Sequence, residues 1–216
     1  MFLLEQPTPA LKVYNGVLQL ISEGKLKPGE HIPTLPLAEQ YGVSRTPATE
    51  ALKRLETEGI VTFKAGNGAW LINPTPKEVK DIYIVRKSLE VPALDLAFDS
   101  YRPQDFVEAN KYIELEKIYH ESGDKVNCIK AGLDLHLHLL MPCNNKPLLK
   151  FLRSIFATNF VFLILLEYSK ERFINKHPND HRILLDNIIS KDKKKSLDYL
   201  SNHISESFTI SFPQWS

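Results

Sequence analysis

Apolar residues in the first seventy positions recur at helical spacing and then switch to alternation. Tyr14, Val17, Leu18 and Ile21 follow i, i+3, i+4, i+7, the stripe of one amphipathic helix. Gly24 and Pro28-Gly29 break the chain after it. A short second helix is predicted over 35–41, closed by Gly42 just past its C-terminus. Ser44-Arg45-Thr46-Pro47 opens a third: a hydroxyl there can cap free amides, and proline is tolerated in a first turn. Ala48, Ala51, Leu52 and Leu55 supply its buried stripe, and Gly59 stops it. Stretches 60–63 and 69–72 read as strands, and Ala65-Gly66-Asn67-Gly68 between them is a hairpin signal.

Beyond Pro74-Thr75-Pro76 the patterns are helical and long. Ile82, Val85, Leu89, Ala93 and Leu96 mark a first helix there. Pro103 begins the next, with Phe106, Ile113 and Ile118 on it. Others run over 133–140, stopped by Pro142, and over 148–166; Pro178 opens another, and 197–208 forms the last. The fold class is therefore mainly α. Residues 1–74 are expected to form a winged helix-turn-helix with a small hairpin wing, and 75–216 an all-helical bundle of six or seven helices. The longest apolar run, 160–166, is too short to span a bilayer, and the N-terminus lacks the basic region of a signal peptide, so a soluble cytoplasmic protein is expected. Cys128 and Cys143 make neither a disulfide framework nor a metal motif.

Charge is nearly balanced, 27 basic residues against 26 acidic. Residues 1–74 hold seven of each, so nucleic-acid binding needs a local patch rather than a global field. The start of the third helix offers one. A helix N-terminus attracts phosphate, and Ser44, Arg45, Thr46 and Thr49 face outward there. Arg45 can contact guanine in bidentate fashion. Lys53 and Arg54 can hold phosphate or merely solvate the helix, and Lys64, Asn67 and Gly68 lie at the hairpin tip, which the glycines keep small enough for a minor groove. The alternative is a winged helix used for protein contacts.

Lys27-Pro28-Gly29, the run from Leu37 to Pro47, Glu50-Ala51-Leu52 and Leu55-Glu56-Thr57-Glu58-Gly59 together resemble the N-terminal domain of the GntR family of bacterial transcription regulators, without a gap from about Leu11 to Ile72. The resemblance implies a dimeric regulator on a short palindrome of double-stranded DNA. Three departures touch the DNA side. The family usually carries Arg at Thr49, often Glu-Arg at Thr34-Leu35, and often Arg at Asn67. Each replaced arginine removes a charge-assisted contact, which implies weaker binding, a different operator or loss of DNA binding.

Polar residues interrupt the apolar faces of the second part. Asp134 and His138 are i, i+4 and share a face, while His136 lies on another. His181 belongs to a stripe with Leu184, Leu185 and Ile188, and His203 sits beside Leu200 and Ile204. Three histidines and an aspartate converging would suit Zn²⁺, Ni²⁺ or Mn²⁺; separately satisfied histidines are the plain alternative. Arg86 shares a face with Ile82, Leu89 and Ala93, so its cation needs an anion, either Glu90 at i+4 or a bound acid.

These runs are similar to the FCD ligand-binding domain of the FadR subfamily. Asp134-Leu135-His136-Leu137-His138 resembles its Asp-x-x-Phe-His motif, with Leu137 for the usual Phe. Asp180–Leu184 resembles Glu-His-x-x-Ile-Leu, Asn202-His203-Ile204 its closing His-Leu, and Tyr83–Glu90 its opening helix. The resemblance spans about Lys77 to Phe208. It implies metal ligands at Asp134, His138, His181 and His203, a divalent metal of the Zn or Ni kind with Mn as a further candidate, and a small carboxylate effector met by Arg86 and Asn145. Asn145 stands about two residues early. A register with His136 as ligand would also explain that, but it leaves Gly132 in the aspartate's place, so Asp134 and His138 are preferred. The reading that results is a homodimeric, metabolite-sensing transcription regulator. Its rivals are a metal-dependent enzyme, disfavoured because no separate general base stands out, and a degenerate regulator acting through protein contacts without DNA.

Overall fold

The structure, a computed structural model, describes residues 8–64, 68–167 and 178–211. Contacts divide the chain into two compact units, Met1–Thr75 with Ala157–Glu171, and Pro76–Phe156 with Arg172–Ser216.

In the first unit three helices precede a small sheet: α1 (Pro9–Ser22), α2 (Thr34–Tyr41) and α3 (Arg45–Thr57). Thr8 caps α1, its hydroxyl accepting from the Leu11 amide. The buried face of α1 is Val13, Tyr14, Gly16, Val17 and Ile21, whereas Leu18, expected on it, is only half-buried. Gly42 adopts the left-handed conformation that ends α2, and Ala48, Ala51, Leu52 and Leu55 are the buried stripe of α3, as their spacing predicts. The expected hairpin forms from β2 (Val61–Lys64) and β3 (Gly68–Leu71), in the register Val61↔Leu71 to Lys64↔Gly68. A third strand, β1 (His31–Ile32), pairs antiparallel with β3 through His31↔Trp70 and Ile32↔Ala69, giving the order β1-β3-β2. Two residues are too short a run to register as alternation.

The second unit is helical: α4 (Pro76–Ala97), α5 (Pro103–Glu121), α6 (Lys125–Leu140), the first part of α7 (Lys146–Glu167), α8 (Pro178–Ile189) and α9 (Lys193–Ser211). Helix α5 packs on α6 and α8, α9 on α4 and α8, and α4 on α6. Helix α6 begins two turns before its predicted start because Asp124 caps it, accepting from the Asn127 amide. The inward line of α4 differs from the predicted one. It runs through Val79, Tyr83, Arg86, Glu90, Ala93, Leu94 and Ala97, while Val85 and Leu96 are exposed. An apolar stripe mispredicts this face because two paired charges lie inside it.

Among the described residues one helix segment, Lys146–Leu165 of α7, is long and apolar enough to cross a membrane by length and composition, yet 61% of its most apolar window is buried within the protein. Leu152, Phe156 and Val161 on it are fully buried, as suits a core helix.

Candidate metal centre and nucleic-acid surface

One face of α6 brings together side chains from the other helices of the second unit. His136 Nε2 lies 3.2 Å from Nε2 of His181 on α8 and 3.2 Å from Nε2 of His203 on α9. All three rings are buried, and their ligand nitrogens lie within 4.8 Å of one another.

Carboxylates hold two of the rings from behind. Glu90 Oε2, on α4, accepts from His136 Nδ1 at 2.6 Å, and Glu116 Oε2, on α5, accepts from His181 Nδ1 at 2.6 Å. An Nδ1–H donated to a carboxylate places the lone pair on Nε2. In that arrangement Nε2 of His136 and Nε2 of His181 face each other at 3.2 Å, a contact that calls for a proton or a metal cation between them. This fits a divalent metal: converging imidazoles, two of them oriented by carboxylates, are donors that Zn²⁺ and Ni²⁺ accept.

The electrostatics keep the His136 ring neutral. Burial pushes His136 down to about 4, against the opposing pull of Glu90. Burial also works against the charge of Glu90, but Arg86 and His136 outweigh it and hold the carboxyl down to about 2. Arg86 Nε donates to Glu90 Oε1 at 2.7 Å, and its guanidinium lies 5.3 Å from the Tyr83 ring centre and 5.4 Å from that of Phe156. Arg86, Glu90 and His136 thus form a buried chain of guanidinium, carboxylate and imidazole. Of the two anions weighed for Arg86, the structure provides Glu90.

The expected convergence of Asp134 and His138 with His181 and His203 does not occur. His138 Nε2 bonds the Asp105 carbonyl at 2.8 Å, and its ring lies 5.6 Å from Tyr112. Asp134 is half-buried outside the cluster, where it raises the Tyr112 hydroxyl pKa after the larger effect of burial. The reason is helical geometry: a shift of two residues turns a side chain by about 200°, so His136 and His138 cannot both face the cluster. Gly132, one turn before His136, occupies the place of the aspartate. Asn145 is exposed immediately before α7, where its side chain accepts from the Leu148 amide as a cap, away from the imidazoles. Sequence reasoning missed Glu116. Its signal was the spacing of Ala109, Ile113 and Glu116, all buried along one face of α5.

On the first unit, Ser44, Arg45 and Thr46 are exposed at the start of α3. Ser44 stands at the N-cap position but makes no capping bond, contrary to expectation, so the helix start keeps its amides for other partners. Thr49 donates its hydroxyl to the Arg45 carbonyl at 2.9 Å. Lys53 is exposed. Arg54 has an internal role: Nε lies 3.3 Å from Glu58 Oε1, and the guanidinium stacks 4.3 Å over Tyr14, whose hydroxyl donates to Glu58 at 2.6 Å. Arg45 borders an open depression of about 570 Å³ together with Thr34, Leu35, Gly68 and Trp70, which joins the starts of α2 and α3 to the wing. Lys64 Nζ sits 4.3 Å from the centre of the Trp70 ring, and His31 packs on that ring at 4.8 Å. A side chain at Gly68 would meet His31 Nε2 at 3.0 Å, and the residue has φ +75°. Asn67 and the rest of the wing tip, 65–67, lie outside the described residues.

Comparison with known proteins places each of the two regions in a described family. Residues 9–71 match the family described as bacterial regulatory proteins, gntR family, and residues 81–206 match the FCD domain. Some FCD domains bind metals. The chain is similar to the HTH-type transcriptional regulator YdhC of Bacillus subtilis (29% identity, over 94% of this chain and 91% of that one) and to McbR of Escherichia coli (26%, over 95% and 93%). The solved structure of E. coli McbR superposes with a TM-score of 0.84 at 25% identity, covering 97% of this chain and 99% of that one.

Proposed function

Because the chain belongs to the GntR family of bacterial transcription regulators and carries an FCD domain, we propose that it is a DNA-binding regulator whose operator affinity is set by a small carboxylate metabolite held at a metal ion in its C-terminal helical domain. The relatives are regulators, not enzymes. The observation that carries the metal is the convergence of three buried imidazoles, with His136 Nε2 at 3.2 Å from Nε2 of both His181 and His203. The ligands are His136, His181 and His203, and Glu90 and Glu116 orient the rings. An all-nitrogen set suits Zn²⁺ or Ni²⁺ better than Mn²⁺, which prefers oxygen. A bound metal supplies positive charge and open positions that a chelating carboxylate can fill.

The operator is a palindrome of double-stranded DNA, read by a homodimer in the cytoplasm. Residues 1–74 do the reading: Arg45 contacts a base edge, the open start of α3 and Lys53 hold phosphate, and Lys64 and Gly68 present the wing. Residues 75–216 sense the effector and dimerise. The effector changes operator affinity only as far as it binds one state of the protein better than the other.

The test is selection of operator DNA from a genomic fragment pool by the purified protein at low and physiological salt, followed by titration of candidate acids. A palindromic site is enriched, and an acid shifts its affinity in wild type. His181→Ala keeps the operator and loses the shift. No enrichment at either salt would overturn the DNA reading, and an unchanged shift in His181→Ala would overturn the metal-coupled one.

A further inference from the structure

Gly132 sits in the interior of α6, where glycine costs roughly 0.5–1 kcal/mol relative to alanine. Its backbone is not in the left-handed region, so the conformation does not require glycine. The surroundings do. A Cβ at 132 would stand 3.0 Å from Glu116 Oε1 and 3.0 Å from His181 Cε1, tighter than nine in ten real Cβ contacts. Glu116 is buried, and its other oxygen holds His181 Nδ1 at 2.6 Å.

We propose that Gly132 and Glu116 act as one device: the missing Cβ leaves the space through which Glu116 reaches from α5 to orient His181, so the described residues offer a metal three imidazoles and no carboxylate, and the anionic ligand comes from the bound acid. This rests on the metal reading above. Glu116 contacts the far side of His181 and lies outside the group of converging ligand atoms, so it is a positioning residue rather than a ligand. Glu90 is already matched by Arg86. Three neutral ligands leave the charge of a divalent ion undiminished, and an exogenous carboxylate is then the group that offsets it. An aspartate at 132 would supply that charge from within the protein.

The experiment titrates cobalt(II) into the metal-free full-length protein, follows its d–d absorption, and then adds sodium acetate. Wild type takes up one cobalt per chain, and acetate shifts the spectrum to saturation. Gly132→Ala displaces Glu116, and Glu116→Gln keeps its shape but not its charge. Each weakens cobalt binding by about 10–100-fold and alters the d–d envelope while circular dichroism stays native. Should Gly132→Ala fail to fold, Glu116→Gln alone decides. If wild type takes up no cobalt, the metal reading falls and this one with it. If wild type binds and both variants match its affinity and spectrum, the metal reading stands and the role given to Gly132 and Glu116 is overturned. Uptake with no acetate response overturns the open anion position.

Discussion

His136 and His138 stand two residues apart on one helix, yet only the first enters the imidazole cluster. His138 settles on the Asp105 carbonyl, whereas His136 is enclosed between Glu90 and two other imidazoles. That enclosure makes the metal-free protein sensitive to acid. In the fold His136 titrates at about 4 rather than 6.5, and Glu90 at about 2 rather than 4.5. The unfolded chain therefore binds more protons than the folded one between 6.5 and 2. The stability these groups contribute is complete above 6.5, and it is lost as pH falls, first through His136 and then through Glu90. On the order of 3 kcal/mol is at stake for His136, at 1.36 kcal/mol per pKa unit. Thermal unfolding of the metal-free protein should show the midpoint falling from pH 7 to 4, and His136→Gln should flatten that interval. Parallel curves for the two proteins would contradict the assignment.

On the proposed function, helix α3 separates binding from stability along its length. Arg45 is exposed at its start, beside the depression that joins α2 to the wing, whereas Arg54 is tied to Tyr14 and Glu58. In a binding assay against the selected operator, Arg45→Ala should cost about 1–3 kcal/mol on that sequence and little on random DNA. Lys53→Ala should weaken both equally and reduce the salt slope by about one. Arg54→Ala should lower the melting temperature and spare sequence preference. The elements of this unit were legible because glycine and proline punctuate them: Gly42 and Gly59 end α2 and α3. Strand β1 was not, since His31-Ile32 gains its identity only from β3. Helix α4 misled for the opposite reason. Its inward line carries Arg86 and Glu90, and hydropathy assigns charges to the outside unless their partners are known.

At the level of the molecule, the proline-flanked Thr75 falls where the first unit's N-terminal part ends, the return of residues 157–171 to that unit had no signal in the sequence, and the imidazole cluster could be read only in part. His181 and His203 announced themselves by lying among leucines and isoleucines. The choice between His136 and His138 depended on which face of α6 meets α8 and α9, and that is settled by tertiary packing, not by spacing. Glu116 continues the line of Ala109 and Ile113 on α5, but an acid at such a position reads as surface until its partner His181 is known. The cluster joins residues far apart in the chain: 46 positions separate Glu90 from His136, 65 separate Glu116 from His181, and 67 separate His136 from His203. Such distant pairs meet late, once the intervening helices have docked, since closing long loops must precede the contacts that reward it. Metal would then act as a latch on the finished bundle rather than as a seed for it. In stopped-flow kinetics across denaturant, Zn²⁺ should slow the unfolding limb and leave the refolding limb of the metal-free protein unchanged. Acceleration of refolding by Zn²⁺ would mean instead that the imidazoles gather early, and the lifetime of the sensing state would no longer be governed by how slowly the closed bundle lets go.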